Sequence, residues 1–88
     1  TESIKVFPNP ARESYNGPIA ITGLERNTDV KITDVAGNLI FQTTSEGGQA
    51  IWHGENFDGE RVTTGVYTAL CTAPEGNSKC VAKIMVVR

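Results

Sequence analysis

The sequence predicts an all-β domain, a seven-stranded antiparallel β-sandwich with immunoglobulin-like topology. Short runs in which apolar and polar residues alternate recur along the chain, and turn residues separate them roughly every eight to twelve positions. No stretch shows a period of 3.6 over the roughly ten or more residues that a helix requires. These observations favour two packed sheets and exclude a helical fold.

Seven segments carry the strand pattern. The first ends before Pro8, because proline cannot donate a hydrogen bond to a sheet. After the third, Ala36-Gly37-Asn38 supplies residues that tolerate the positive φ angles of a tight hairpin. The last two segments form a closing hairpin. The predicted strands are residues 4–6, 19–22, 30–33, 39–43, 49–52, 62–72 and 79–87.

Length and composition are those of one small domain. The 88 residues are 39% hydrophobic and 20% charged, and the formal net charge is −2. A chain of this size buries a little over about 60% of its unfolded surface, which is enough for one thin core. We therefore assign residues 1–88 to a single domain and expect residues 1–3 to be the end of a linker.

Several classes of function are excluded by the same features. The eight basic residues are scattered, whereas a nucleic-acid surface requires clustered lysine and arginine. The longest strongly apolar run, residues 84–87, is far shorter than the roughly 20 residues of a transmembrane helix. Residues 1–3 lack the basic and apolar regions of a signal peptide. If the protein is exported, we expect that signal upstream, in a longer precursor.

The two cysteines are predicted to face each other across the closing hairpin. Lys83 is expected to point to water, so the two-residue period turns Cys80 toward the core, opposite Cys71. Opposed Cβ atoms lie about 4.5–5.5 Å apart, which permits a disulfide after modest adjustment. A secreted protein favours the disulfide, and two buried thiols that fill the core are the alternative. The register also pairs Ala69 with Ala82 and Tyr67 with Ile84.

The remaining polar motifs indicate structure and not chemistry. His53 is the only histidine, and a nucleophilic cysteine beside it would require an activated thiol. Asn56 and Asp58 before Gly59 only faintly resemble a calcium loop, because no glutamate follows at the required distance, and we expect a turn. One histidine and two cysteines do not make a zinc site. We therefore expect no catalytic, metal-binding or cofactor-binding residues and no cofactor.

The aromatic residues Trp52 and Tyr67 have two interpretations. Exposed together, they would form a platform for a sugar. The chain has one tryptophan and two tyrosines, however, and its core needs most of its aromatic side chains. We expect Trp52 to be half-buried and Tyr67 to be a core residue with a hydrogen-bonded hydroxyl.

The order and spacing of the motifs resemble the C-terminal sorting domain of proteins exported by the type IX secretion system of Bacteroidetes. That family carries an early Pro-Asn-Pro, an alternating strand that ends in Asp-x-x-Gly, a Trp-x-Gly followed by Asp and Gly, and a Gly-x-Tyr. A lysine, an apolar strand and a basic residue end the pattern. The two cysteines depart from it. The matching residues are Pro8, Asn9, Pro10, Asp34, Gly37, Trp52, Gly54, Asp58, Gly59, Gly65 and Tyr67.

This resemblance implies a partner set and a route. The implied partners are an upstream cargo in the same precursor, the type IX translocon and surface sortase-like components. The implied route leads through the periplasm to the outer membrane surface or the medium. Because the last strand is expected at a sheet edge, its unpaired backbone is a candidate contact. The residues implied in recognition are Lys83, Ile84, Met85, Val86, Val87 and Arg88.

Two other functions stay open on sequence alone. The domain could be a non-catalytic binding module, for carbohydrate or a surface partner, within a larger secreted protein. An exposed aromatic cluster would indicate that role. It could also be a structural spacer, which would tolerate further sequence after it. A similar fold occurs in flagellar hook-capping proteins, so the fold does not decide between these functions.

Overall fold

The computed structural model describes residues 4–12, 15, 17–76 and 79–87, so the expected linker at residues 1–3 lies outside the described residues. Within them the chain forms strands and turns and no helix, which confirms the predicted all-β class. No described segment is a helix that could cross a membrane. The strands are β1 (Lys5–Phe7), β2 (Ile19–Thr22), β3 (Asp29–Thr33), β4 (Leu39–Thr44), β5 (Gln49–Trp52), β6 (Gly65–Thr72) and β7 (Lys79–Val86).

Two antiparallel sheets form an immunoglobulin-like sandwich. The three-stranded sheet has the order β1-β2-β5, and the four-stranded sheet has the order β4-β3-β6-β7. Consecutive strands β3 and β4 form one hairpin, and β6 and β7 form another. The closing strand β7 is thus an outer strand of the four-stranded sheet, as its position in the sequence predicts.

The core lies between the sheets and follows from the two-residue alternation within each strand. In β3, Val30 and Ile32 are buried and Lys31 between them is exposed. In β2, Ile19 and Ile21 are buried in the same way. Burying one such aliphatic side chain stabilises the fold by roughly 1.5–3 kcal/mol, so a few inward positions supply most of the stability. The other buried core residues are Ala11, Leu24, Ala50, Trp52, Val62, Tyr67, Ala69, Cys71, Ala73, Ile84 and Val86.

The predicted strand beginning at residue 62 starts three positions later than expected. The expected strand included residues 62–64, but Val62 anchors a loop to the core. Its N–H donates to the carbonyl of Gly54 at 2.9 Å, on the side of the neighbouring loop and not of β3. The carbonyl of Thr63 accepts the hydroxyl of Tyr67 at 2.8 Å. Local backbone bonding therefore overrides the side-chain pattern, and β6 begins at Gly65.

The closing hairpin has the register that the sequence predicts. Cys71 is paired with Cys80, and the predicted alanine and Tyr67–Ile84 pairs are also present. The two cysteines form a disulfide, with their Cα atoms 4.9 Å apart. Cys71 is buried in the core and Cys80 is half-buried at its margin. The disulfide thus closes the hairpin at the end nearest its turn.

We expect the double variant C71A/C80A to lose about 2–3 kcal/mol of unfolding free energy. The disulfide closes a short segment, with a sequence separation of 9, and in the chain-entropy model such a closure restricts the unfolded chain by about that amount. Urea denaturation measures the loss. The wild-type domain under a reducing agent is the matched control, because it separates loss of the cross-link from loss of side-chain volume. Equal stability of oxidised wild type and variant would contradict the expectation.

Candidate recognition surface

The side chains of β7 divide into two sets by alternation. Ile84 and Val86 point inward and are fully buried. Lys83 and Met85 point to the solvent-facing side of the four-stranded sheet, which we call the outer face, and Met85 is 46% exposed. Val87 is half-buried. Of the residues implied in recognition, only Lys83 and Met85 offer freely accessible side chains on β7, and Arg88 lies outside the described residues.

The outer edge of β7 is bonded to residues 9–11, which we call the N-terminal latch. The N–H of Ala11 donates to the carbonyl of Met85 at 2.8 Å, and the N–H of Val87 donates to the carbonyl of Ala11 at 2.8 Å. The Asn9 side chain continues this pairing. Its Nδ2 donates to the Lys83 carbonyl at 3.1 Å, and its Oδ1 accepts the N–H of Met85 at 2.9 Å.

The latch gives the Pro-Asn-Pro motif a structural role. Pro8 and Pro10 flank Asn9, and both proline peptide bonds are cis. The side-chain amide of Asn9 has an NH2 group that donates and an oxygen that accepts, so it replaces the backbone groups that a pairing strand would present. The chain thereby leaves the three-stranded sheet after Phe7 and reaches the four-stranded sheet at Ala11, which forms a parallel bridge with Val86.

The expectation of an unpaired backbone along the last strand is wrong for residues 83–87. The backbone groups of Lys83, Met85 and Val87 that point away from β6 form hydrogen bonds with the latch. By the same alternation the backbone N–H and C=O of Val81 also point away from β6, toward the edge of the sheet. Among the described residues, none bonds to them. The open part of the edge therefore lies nearer the start of β7 than its end.

The Asp34 and Gly37 motif builds the turn between β3 and β4. Oδ1 of Asp34 accepts the N–H groups of Ala36 at 3.0 Å and Asn38 at 2.9 Å, and Oδ2 accepts the Asn38 side chain at 3.1 Å. Gly37 has a φ of 87°, which favours glycine. The backbone and then the side-chain amide of Asn38 hold the pKa of Asp34 below its usual value, because they stabilise the carboxylate.

Trp52 and Tyr67 form the centre of the core. Their rings lie 5.6 Å apart in an edge-to-face arrangement. Tyr67 is buried with its hydroxyl bonded, as predicted. The expectation of a half-buried Trp52 is wrong: it is fully buried, because its Nε1 donates to the carbonyl of Glu55 at 2.8 Å and needs no solvent contact. Gly65 precedes Tyr67 at the start of β6.

The segment that faintly resembles a calcium loop is a turn closed by its own backbone. Oδ1 of Asn56 accepts the N–H groups of Asp58 at 2.9 Å and Glu60 at 3.0 Å. Gly59 has a φ of 81°, and its N–H donates to the carbonyl of Asn56. The oxygen that a cation would use is therefore occupied by N–H donors, and the predicted turn is confirmed.

The cysteine and histidine residues do not form a nucleophilic pair. Both sulfur atoms are in the disulfide, so neither is available as a thiolate. His53 is exposed in the loop after β5, beside an open depression lined in part by Tyr15, Glu55 and Arg61. Within the described residues no cluster of potential metal ligands occurs.

The outer face contains residues that the sequence motifs do not single out. Leu70 and Val81 are opposite each other on β6 and β7 and are exposed. Lys31 on β3 is opposite Leu70. The two-residue period, with both cysteines turned inward, was sufficient to place Leu70 and Val81 on this face. The motifs that carry the family resemblance lie instead in turns and in the core.

The fold defines an immunoglobulin-like β-sandwich domain. Residues 5–87 match the family described as the secretion system C-terminal sorting domain. The chain belongs to this family, and its role as a sorting signal of type IX secretion, implied by the resemblance, is confirmed. Membership implies a protein exported through the outer membrane toward the surface or the extracellular space.

One solved structure supports the same conclusion. The chain is 35% identical to PorZ, described as an essential bacterial surface component of the type IX secretion system of Porphyromonas gingivalis, with a TM-score of 0.88. The similarity covers 98% of this chain but 12% of the PorZ chain. No curated protein matches the sequence.

We expect N9A to weaken the latch without unfolding the domain. The variant removes both side-chain bonds to β7 and should lower the unfolding free energy by about 1–3 kcal/mol, since each net hydrogen bond contributes about 0.5–1.5 kcal/mol. Hydrogen exchange should accelerate at the Met85 amide, whose acceptor is lost. N9D is the matched variant, because it keeps that acceptor and loses only the donor to Lys83. Unchanged exchange at Met85 in N9A would refute the role of the latch.

We expect Asp34 to contribute to acid sensitivity. Its folded-state pKa is lowered, so its contribution to stability is present above the unfolded value of about 3.9 and is lost as the pH falls through the folded value. D34N should therefore lose less stability than wild type between about pH 5 and pH 2. A carboxyl titration by NMR with a midpoint at or above about 3.9 would contradict this. D58N, which removes one charge from another turn, is the control.

Proposed function

We propose that the domain directs an upstream cargo of the same precursor through the outer membrane, and that it acts by being bound and not by catalysis. The family match over residues 5–87 is the observation that carries this proposal. The partners are the type IX translocon and surface sortase-like components. The disulfide and the bonded turn at Asn56 support a non-catalytic role, because they use the groups that a nucleophilic or metal site would need.

The route that we propose includes the periplasm. Disulfides form in oxidising compartments such as the bacterial periplasm. The Cys71–Cys80 disulfide closes the hairpin that carries β7. A domain that folds and oxidises before export would present a fixed surface to the machinery, and the final destination is the outer membrane surface or the medium.

The residues of the last strand are proposed to act in two ways. Ile84 and Val86 act through stability, because both are fully buried. Lys83 and Met85 act through contact, because both lie on the outer face. Val87 holds the latch through its N–H. Arg88, which lies outside the described residues, remains part of the proposal through the motif alone.

A carbohydrate-binding role has little support in the aromatic residues. Trp52 and Tyr67, the pair that would form a platform, lie in the core. Phe57 is exposed but packs beside Phe41, with ring centroids 5.7 Å apart. Phe7 is exposed on the other sheet. The exposed aromatic rings are therefore not gathered into one surface suited to a sugar.

A reporter that carries a signal peptide and residues 1–88 should reach the outside of a type IX-competent bacterium. A fusion that ends at Val81 should stay in the periplasm. This truncation removes Ile84 and Val86 from the core, and each contributes roughly 1.5–3 kcal/mol, a large loss for a domain of marginal stability. Fractionation and surface proteolysis measure the distribution. If the full fusion stays in the periplasm, the proposed function is wrong.

The variant K83Q/R88Q is the control that separates recognition from stability. It keeps the two buried aliphatic residues of β7 and changes only charge. Export of this variant at the wild-type level would show that the truncation does not act through loss of the Lys83 and Arg88 charges. Retention, with an unchanged urea midpoint, would show that the charged side chains are themselves recognised.

A further inference from the structure

The outer face of the four-stranded sheet has an apolar patch. Leu70, Val81 and Met85 are 39%, 67% and 46% exposed. Leu70 lies opposite Val81 across β6 and β7, and Met85 lies opposite the half-buried Val66. With about 3.3 Å per strand residue, Val81 and Met85 are about 13 Å apart. Single exposed apolar side chains need no explanation, but Leu70 and Val81 are direct neighbours on two paired strands, and a group of exposed apolar residues is typical of an interaction site.

Lysines surround this patch. Lys31 lies in the same cross-strand row as Leu70 and Val81. Lys83 lies between Val81 and Met85 on the outer side of β7, and Lys79 precedes Val81 by two residues. In the described residues, neither Lys79 nor Lys83 pairs with a carboxylate. The face therefore carries two apolar cross-strand pairs, Leu70–Val81 and Val66–Met85, with Lys83 between them and Lys31 and Lys79 beside the first pair.

Asp29 is the one carboxylate that the described strands place on this face, where it lies beside Lys31. Within the described strands Asp29 is the single acidic residue, and its carboxylate already accepts Gln42 Nε2 at 2.7 Å and lies 3.8 Å from Lys31 Nζ. The other described acidic residues lie in turns and loops. The net charge is −2, so an acidic partner is repelled by most of the surface and attracted by this face. Such a distribution orients a partner.

We propose that the outer face is the docking surface for a polypeptide segment of the export machinery that presents carboxylates beside apolar side chains. This inference rests on the proposed function and specifies its contact surface. The outward backbone of Val81 favours a polypeptide over a lipid surface. It offers one donor and one acceptor beside the patch, and an extended chain can satisfy both.

Two independent double variants test the proposal in the reporter fusion of residues 1–88. K31E/K83E reverses the charge, and L70T/V81T removes the apolar contacts while keeping residues that suit strands. We expect each to reduce external reporter at least tenfold. K5E/R26E, away from this face, introduces the same change in charge and should be exported at the wild-type level. Circular dichroism and the urea midpoint of each purified domain show whether its fold is intact.

The outcomes separate the contact surface from the function. If the wild-type fusion and both folded double variants are exported equally well, the proposed docking surface is wrong and the sorting function stands. A periplasmic wild-type fusion would overturn both. Vesicles of phosphatidylglycerol and phosphatidylethanolamine provide the second probe. If the wild-type domain binds them and K31E/K83E does not, the face is a lipid surface and the polypeptide proposal is wrong.

Discussion

The pairing of β6 with β7 determines the arrangement of the rest of the four-stranded sheet surface. The eight residues of each strand are aligned without a register shift, from the Gly65–Val86 pair to the Thr72–Lys79 pair. A slip of one residue would expose the buried side chains of β7 and bury its lysines. The disulfide holds the register at one end. Burial of Ile84 beside Tyr67 holds it at the other, so the exposed residues of β7 have fixed positions.

The latch covers part of the exposed edge of β7. An exposed strand edge can pair with any extended chain, and proteins usually cover such edges or interrupt them. Here Asn9 and Ala11 bond to the half of β7 that also contributes Ile84 and Val86 to the core. The edge of β7 is therefore covered along the half that contributes Ile84 and Val86 to the core, whereas no described residue bonds to the edge at Val81. Stability and accessibility are located in different halves of one strand.

Alternation and turn residues were sufficient to predict the class of fold, the number of strands in the described chain and the cysteine register. Lys83 was decisive, because a lysine must reach water and its orientation sets that of Cys80. The latch could not be predicted in this way. The bond between Asn9 and Met85 spans 76 positions, and no local pattern reports which distant strand an amide side chain will meet.

Two smaller differences between the expected and the observed structure arise because N–H groups find hydrogen-bond acceptors in loops. Trp52 was expected to be half-buried, but the Glu55 carbonyl accepts its indole N–H inside the fold, so the side chain is fully buried. Val62 continued a strand pattern, but its N–H bonds to Gly54 in a loop. The proposed docking surface was harder to predict. Its apolar residues, Leu70 and Val81, belong to no motif, and only their joint exposure on paired strands distinguishes them.

The direction of the latch has a mechanical consequence. Residues 9–11 and the end of β7 run in the same direction, because Ala11 and Val86 form a parallel bridge. Pulling on residues 4 and 87 in opposite directions would therefore slide residues 9–11 and β7 past each other. The hydrogen bonds of Asn9 and Ala11 to β7 would then bear the force together, in shear, and would not break one after another. A force applied along the chain between β1 and Val87 therefore acts on the hydrogen bonds of the Pro-Asn-Pro segment along the direction of β7.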